Sequence, residues 1–236
     1  MTGNKGSPWG AGIVGGVVGA FLTAVILLFA VPQLLAPKLV RSGLLEDPQI
    51  LVDAADALRD KQYAPAIASM NAALTTPFAS SWTGARDPDV TVVEFYDYAC
   101  PYCKASVGPL DRLTKEDPKV RVVYRELPIL GPNSVTAARL ALAASKAGRF
   151  RQFHDAMYAA GRPSPETLAA AARAAGISPE PPADPAIEAE IRRNMQLAGQ
   201  LGATGTPLFV IGDRVINSAA GYEALKKAVV DAREEG

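Results

Sequence analysis

Cysteine and histidine are scarce in this chain: its 236 residues include two of the first and one of the second. That set cannot complete a four-ligand structural zinc site within one chain, and it cannot staple a scaffold with several disulfides. A surplus of charge is also missing, since lysine plus arginine and aspartate plus glutamate both total 24. Without a basic excess or an acidic tail there is no electrostatic footprint for phosphates, which argues against nucleic acid as a partner. What is present is apolar material, 49% of the residues, enough to bury one real core. One catalytic domain plus an appendage is expected.

The appendage begins at the amino terminus. Residues 1–11 are polar or small, and an uncharged run follows from Gly12 to Val31. About twenty such residues, at roughly 1.5 Å each, span the hydrocarbon core of a bilayer. The run exceeds the h-region of a secretory signal, and neither Ala30 nor Ala36 has a small residue two positions before it, so an uncleaved transmembrane anchor is expected over residues 1–37. Lys5 on one side and Lys38 and Arg41 on the other nearly balance, and charge leaves the topology open.

Asp47 and Pro48 supply an N-cap and first-turn proline for a helix to about Tyr63, with Leu51, Ala54, Ala55 and Leu58 on one stripe. That stripe either packs on the main domain or pairs with another copy. The helix continues as far as about Pro77, and Ser80 to Asp89 reads as a linker. Residues 38–83 are therefore expected to form a helical stalk and oligomerisation region, and residues 84–236 the catalytic domain.

Val90 to Asp97 is β-branched and aromatic, dense enough for a strand buried on both faces. Cys100-Pro101-Tyr102-Cys103 follows, then a helical stretch from about Lys104 to Lys115 and a second strand at Val120 to Tyr124, the pattern of a βαβ unit. Residues 134–201 are mostly helical. Leu208 to Ile211 and Arg214 to Ile216, separated by Gly212-Asp213, read as a hairpin, and a last helix covers about Gly221 to Glu234.

Two cysteines three apart suit a bond that opens and closes better than a staple, because a structural disulfide usually closes a longer loop. In dithiol exchange one thiolate attacks a disulfide and the second cysteine resolves the mixed product, so the sulfurs must be adjacent. Placement at the first turn of a helix keeps them adjacent and favours the first as thiolate. Cys100 is the expected nucleophile and Cys103 the resolver. A lone C-x-x-C also serves as a metal half-site. Here the strand before it, the helix after it and the lack of a second ligand pair favour redox chemistry.

With these features the chain resembles the DsbA family of the thioredoxin superfamily over roughly residues 86–235. The resemblance implies an α/β, thioredoxin-like fold with a helical insertion at about 134–201. It implies that Glu94, six residues before Cys100, is a buried acid that moves protons during exchange. It also implies that Gly205-Thr206-Pro207 is a cis-proline loop facing the dithiol, with Thr206 pairing with substrate backbone and Pro207 keeping metal away. The dipeptide Pro101-Tyr102 departs from the Pro-His pair of the family's best-known oxidase. Without the histidine, a potential less oxidising than roughly −120 mV is expected, toward that of glutaredoxins or protein disulfide isomerase. Leu45 to Ile50 and the acidic helix after it resemble the stalk of ScsC-type proteins, DsbA relatives linked to copper tolerance.

The expected activity is thiol-disulfide exchange, as oxidase, isomerase or reductase, on cysteine-containing envelope or secreted proteins. A membrane redox partner, DsbB-like or DsbD-like, would reset the dithiol. No cofactor and no metal are called for. The alternative is a Cu(I)-binding module using the same cysteine pair. Because protein disulfides persist outside the reducing cytosol, the domain is expected in the periplasm, held at the inner membrane by a single span. His154, the only histidine, reads as structural. Tyr96, Tyr98, Tyr102 and Trp82 are candidates for a peptide groove or for packing, and only Tyr102 is forced to the site by its position.

Overall fold

A computed structural model describes residues 31–235. Of the anchor expected over residues 1–37, residues 1–30 lie outside the described residues and 31–37 fall in a helix; among the described residues no helix is long and apolar enough to cross a membrane. The chain divides into two compact units between Ala57 and Leu58.

The described part of the first unit is helical. Helix α1 (Val31–Glu46) runs across the expected boundary between anchor and helical stalk, with Pro37 inside it. Asp47 accepts a hydrogen bond from the Gln49 amide at 3.1 Å and starts α2 (Gln49–Thr75). Val40, Leu45, Ile50, Leu51 and Val52 are exposed.

The second unit is built on a five-stranded mixed sheet: β1 (Trp82–Gly84), β2 (Val90–Tyr96), β3 (Val120–Glu126), β4 (Leu208–Ile211) and β5 (Arg214–Ile216), in the order β1-β3-β2-β4-β5. Only β2 and β3 are parallel, as the βαβ unit requires; the other three pairings are antiparallel. Strand β1 corrects the expected linker over Ser80 to Asp89. It is an edge strand of three residues whose pairing with β3 exists only in the tertiary structure, and Gly84 at φ 90 lies so close to the Val120 carbonyl that a Cβ would sit 2.3 Å from it.

Side chains alternate across the sheet with the period of two that strands impose. Val90, Val92, Tyr96, Val122 and Tyr124 point into one core with Cys103, Leu110, Leu140, Phe153 and Leu225. Val93, Phe95, Val123, Leu208 and Val210 point into the other, against Ile67 and Leu74 of α2 and Leu197 and Leu201. Helix α3 (Pro101–Glu116) lies on the first face, burying Cys103, Ser106, Leu110 and Leu113 at helical spacing despite Pro109.

Between β3 and β4 stand the helices of the insertion, α4 (Pro132–Lys146), α5 (Phe150–Ala160), α6 (Pro165–Ala174) and α7 (Pro185–Gln200). Three begin on proline at the first turn, and Ser164 with Thr167 forms a capping box at α6. Helix α8 (Tyr222–Glu235) closes the domain.

Candidate redox site

Strand β2 delivers the chain to the site, and a turn built by Asp97 hands it to α3. One Asp97 carboxylate oxygen accepts the Ala99 amide at 2.8 Å, and the Asp97 carbonyl accepts the Cys100 amide at 3.0 Å. The second carboxylate oxygen accepts the Ile129 and Leu130 amides, both at 2.9 Å. Asp97 therefore binds the loop before the dithiol to the loop after β3. It went unnoticed in the sequence, where its only signal was an aspartate four residues before the helix start, able to accept the amide two residues on as in an Asx turn.

Cys100 is the N-cap of α3, with extended backbone (φ −83, ψ 119), and Pro101 opens the first turn. Cys103 lies one turn in and is fully buried, Cys100 is 4% exposed, and Tyr102 between them projects to solvent at 63%. Both cysteines are free thiols. The Cys100 thiol donates to the Thr206 carbonyl at 3.2 Å across a sequence separation of 106, and the Thr206-Pro207 peptide is cis. The dithiol and Gly205-Thr206-Pro207, distant in sequence, are thus brought together.

Glu94 stands on the face of β2 under α3, 2% exposed, and one of its carboxylate oxygens has no protein partner. Burial first, and then the charge of Cys100, raise its pKa to about 8. The Cys103 thiol is pushed far above its ordinary value by burial and next by Glu94. The charge of Glu94 thus acts on the buried Cys103 thiol, and a carboxyl with a pKa of about 8 can exchange a proton near neutral pH.

Around Glu94 the paired strands present acids opposite tyrosines: Glu94 is in register with Tyr124, and Tyr96 with Glu126. The Tyr96 hydroxyl donates to the Glu126 carboxylate and lies 3.0 Å from the Tyr98 hydroxyl. Burial raises Glu126 well above the usual carboxylate range, against the hydrogen bond from Tyr96. Glu126 was also missed in the sequence, where the second strand was expected to end at Tyr124 rather than run on to Glu126. His154 sits in the same aromatic cluster, its ring 4.9 Å from those of Tyr124 and Tyr158, and burial lowers its pKa. Of the aromatics considered for a groove, Tyr96 and Tyr98 are buried, and Trp82 packs with the opposite core. Only Tyr102 is strongly exposed. Among the described residues no group of three or more histidine, cysteine or acidic side chains is placed to hold a metal.

Comparison with known proteins fits this geometry. Residues 91–230 match the DSBA-like thioredoxin domain, and residues 38–64 match the copper resistance protein ScsC N-terminal domain. A thioredoxin-like oxidoreductase from Silicibacter pomeroyi is 38% identical, with a TM-score of 0.65 over 69% of this chain and 97% of that one. A periplasmic thioredoxin-like protein from Salmonella enterica serovar Typhimurium is 33% identical, with a TM-score of 0.65 over 70% of this chain and 96% of that one. A curated relative, Na(+)/H(+) antiporter NhaA 1 of Salinispora arenicola, is 31% identical over 156 residues, 63% of this chain and 24% of that protein. The chain thus spans about a quarter of the length of the curated relatives it matches.

Proposed function

The chain belongs to the DSBA-like thioredoxin domain family, a family of thiol-disulfide oxidoreductases, and from that premise we propose that Cys100 and Cys103 exchange disulfides with extracytoplasmic proteins. The observation that carries this is the seating of Cys100 at the start of α3, 3.2 Å from the Thr206 carbonyl, above a buried carboxyl near neutral pKa.

In the reducing direction, the Cys100 thiolate attacks a client disulfide, forming a mixed disulfide and releasing one client thiolate. That step removes the negative charge of Cys100, one of the two causes that raise Glu94, so Glu94 ionises more readily. The carboxylate then takes the Cys103 proton, and Cys103 displaces the second client sulfur. Protein sulfurs end oxidised and client sulfurs reduced; the oxidising direction is the reverse. Thr206 offers its backbone to the client chain by strand addition.

The same reading includes an amino-terminal membrane anchor over residues 1–37, a periplasmic catalytic domain, and a membrane partner, DsbB-like or DsbD-like, that resets the dithiol. Its periplasmic part is supported by the Salmonella protein. Self-association through residues 38–83 is supported by the exposed Leu45, Ile50 and Leu51 and by the ScsC N-terminal match. Cu(I) held by the two thiolates is a second reading, favoured by that same match to a copper resistance protein.

A Cys103→Ala chain should accumulate mixed disulfides with envelope proteins, separable on non-reducing gels. Failure to capture any client, together with tight Cu(I) retention by the unaltered dithiol against a competing chelator, would replace the exchange reading by the copper one.

A further inference from the structure

Two clefts meet beside Cys100. One, of about 240 Å³, is lined by Cys100, Lys104 and Arg162 among others, and the second, of about 230 Å³, by Leu130, Asn133 and Arg162. They share Ala99 and Arg162, and neither is lined by Gly205, Thr206 or Pro207. A client strand paired with Thr206 would leave them free for one of its side chains.

The walls are tied together. Asp97 binds Ala99 on one side to Ile129 and Leu130 on the other. Gly161 ends α5 at φ 103, a backbone angle that side chains rarely allow, and thereby turns the chain into Arg162. The Asn133 side-chain amide donates to the Pro163 carbonyl at 3.1 Å, fixing the Arg162 segment to the start of α4.

Apart from the Cys100 thiolate, the charge in this double cleft has one sign. No aspartate or glutamate lines either part, although the chain as a whole is neutral. Lys104 and Arg162 are both exposed, and among the described residues neither forms an ion pair. Two cations over low-dielectric walls concentrate a potential that a carboxylate answers. Leu130, exposed at 47%, adds an apolar edge.

We infer that this cleft selects clients carrying an acidic side chain next to the reacting cysteine, with Lys104 and Arg162 as the specificity residues. The inference rests on the exchange reading above. The step concerned is the first one: the Cys100–client sulfur bond forms, the client disulfide breaks, and the departing client thiolate takes a proton from water.

The test uses the full chain carrying Cys103→Ala and three symmetrical peptide disulfides whose cysteine is flanked by aspartate, asparagine or lysine. Mixed-disulfide formation is timed by mass, and each rate is divided by the rate of the same peptide with 2-mercaptoethanol, which removes intrinsic reactivity. The aspartate peptide should react about five-fold faster than the lysine peptide at low ionic strength. Lys104→Glu with Arg162→Glu should bring the ratio to one or below, and half-molar salt should flatten it. Equal normalised rates, or a preference untouched by charge reversal, overturn the inference while leaving exchange itself intact. Absence of reaction with all three peptides overturns the exchange reading and the inference with it.

Discussion

The two faces of the central sheet bury ionisable groups at the same depth and treat them in opposite ways. On the face away from the dithiol, Arg125 is 2% exposed and saturated. Its guanidinium pairs with Glu190 at 2.8 Å, donates to Asn194 at 2.9 Å, and donates to the carbonyls of Ala73, Leu74 and Thr76 at the end of α2. On the dithiol face, Glu94 is equally buried, yet one of its oxygens has no protein partner and, besides burial, it is the charge of Cys100 that raises its pKa. Burial alone does not mark a functional group. A buried charge with all its partners is a joint, and one left short of partners and close to a reactive atom is available for chemistry.

Four measurements sharpen or break this contrast. The largest effect belongs to Cys100→Ser, which should lower the rate of exchange with a peptide disulfide by at least about a thousand-fold while leaving the melting temperature nearly unchanged, because it removes the nucleophile and little volume. Residual exchange within ten-fold of the unaltered chain would remove Cys100 from its role.

Arg125→Ala should cost about 3–5 kcal/mol in urea unfolding, since it strands Glu190 and uncaps α2. Any surviving folded fraction should exchange normally. A loss of activity larger than the loss of folded protein would mean that the two faces are coupled.

Glu94→Gln should slow the resolving step about 10- to 100-fold at neutral pH, read as longer-lived mixed disulfide in stopped-flow traces. Its stability effect depends on pH. The folded value of about 8 lies above the ordinary 4.5, so the protonated native state is fully favoured below about 4.5. That advantage is lost as pH rises toward about 8 and stays lost above it. The glutamine variant should therefore match the native chain near pH 4 and exceed it by roughly a few kcal/mol near pH 9. A pH-independent difference would show that Glu94 does not titrate in this range.

Tyr102→His is the smallest change, since Tyr102 is exposed and contributes little to packing. Titration against glutathione should show the reduction potential moving upward by some tens of millivolts, about 30 mV corresponding to 1.4 kcal/mol in this two-electron couple. An unchanged potential would mean that the dipeptide does not set it.

Much of the fold was legible in the sequence because its signals are local. The β-branched run of β2, the two-residue turn before β5 and the helical stretch after the dithiol each depend on neighbours along the chain. Strand β1 was not legible, being three residues long and defined by a partner some forty positions away. The continuity of the helix over Val31–Glu46 across the expected anchor–stalk boundary was not legible, because it begins at the end of a long apolar run and contains Pro37.

By itself the sequence determined the chemistry: two cysteines three apart between a strand and a helix limit the site to dithiol or metal-half-site reactions. Only the tertiary structure decided what surrounds that chemistry. It put the Thr206 carbonyl against Cys100, closed the core over Glu94 so that burial raises its pKa, tied Asp97 to both loops, and set Lys104 and Arg162 in a cleft without an acid. The reason is that a thiol's identity is carried by one residue, whereas its dielectric surroundings and its approach path are carried by segments that meet only when the sheet and its helices pack.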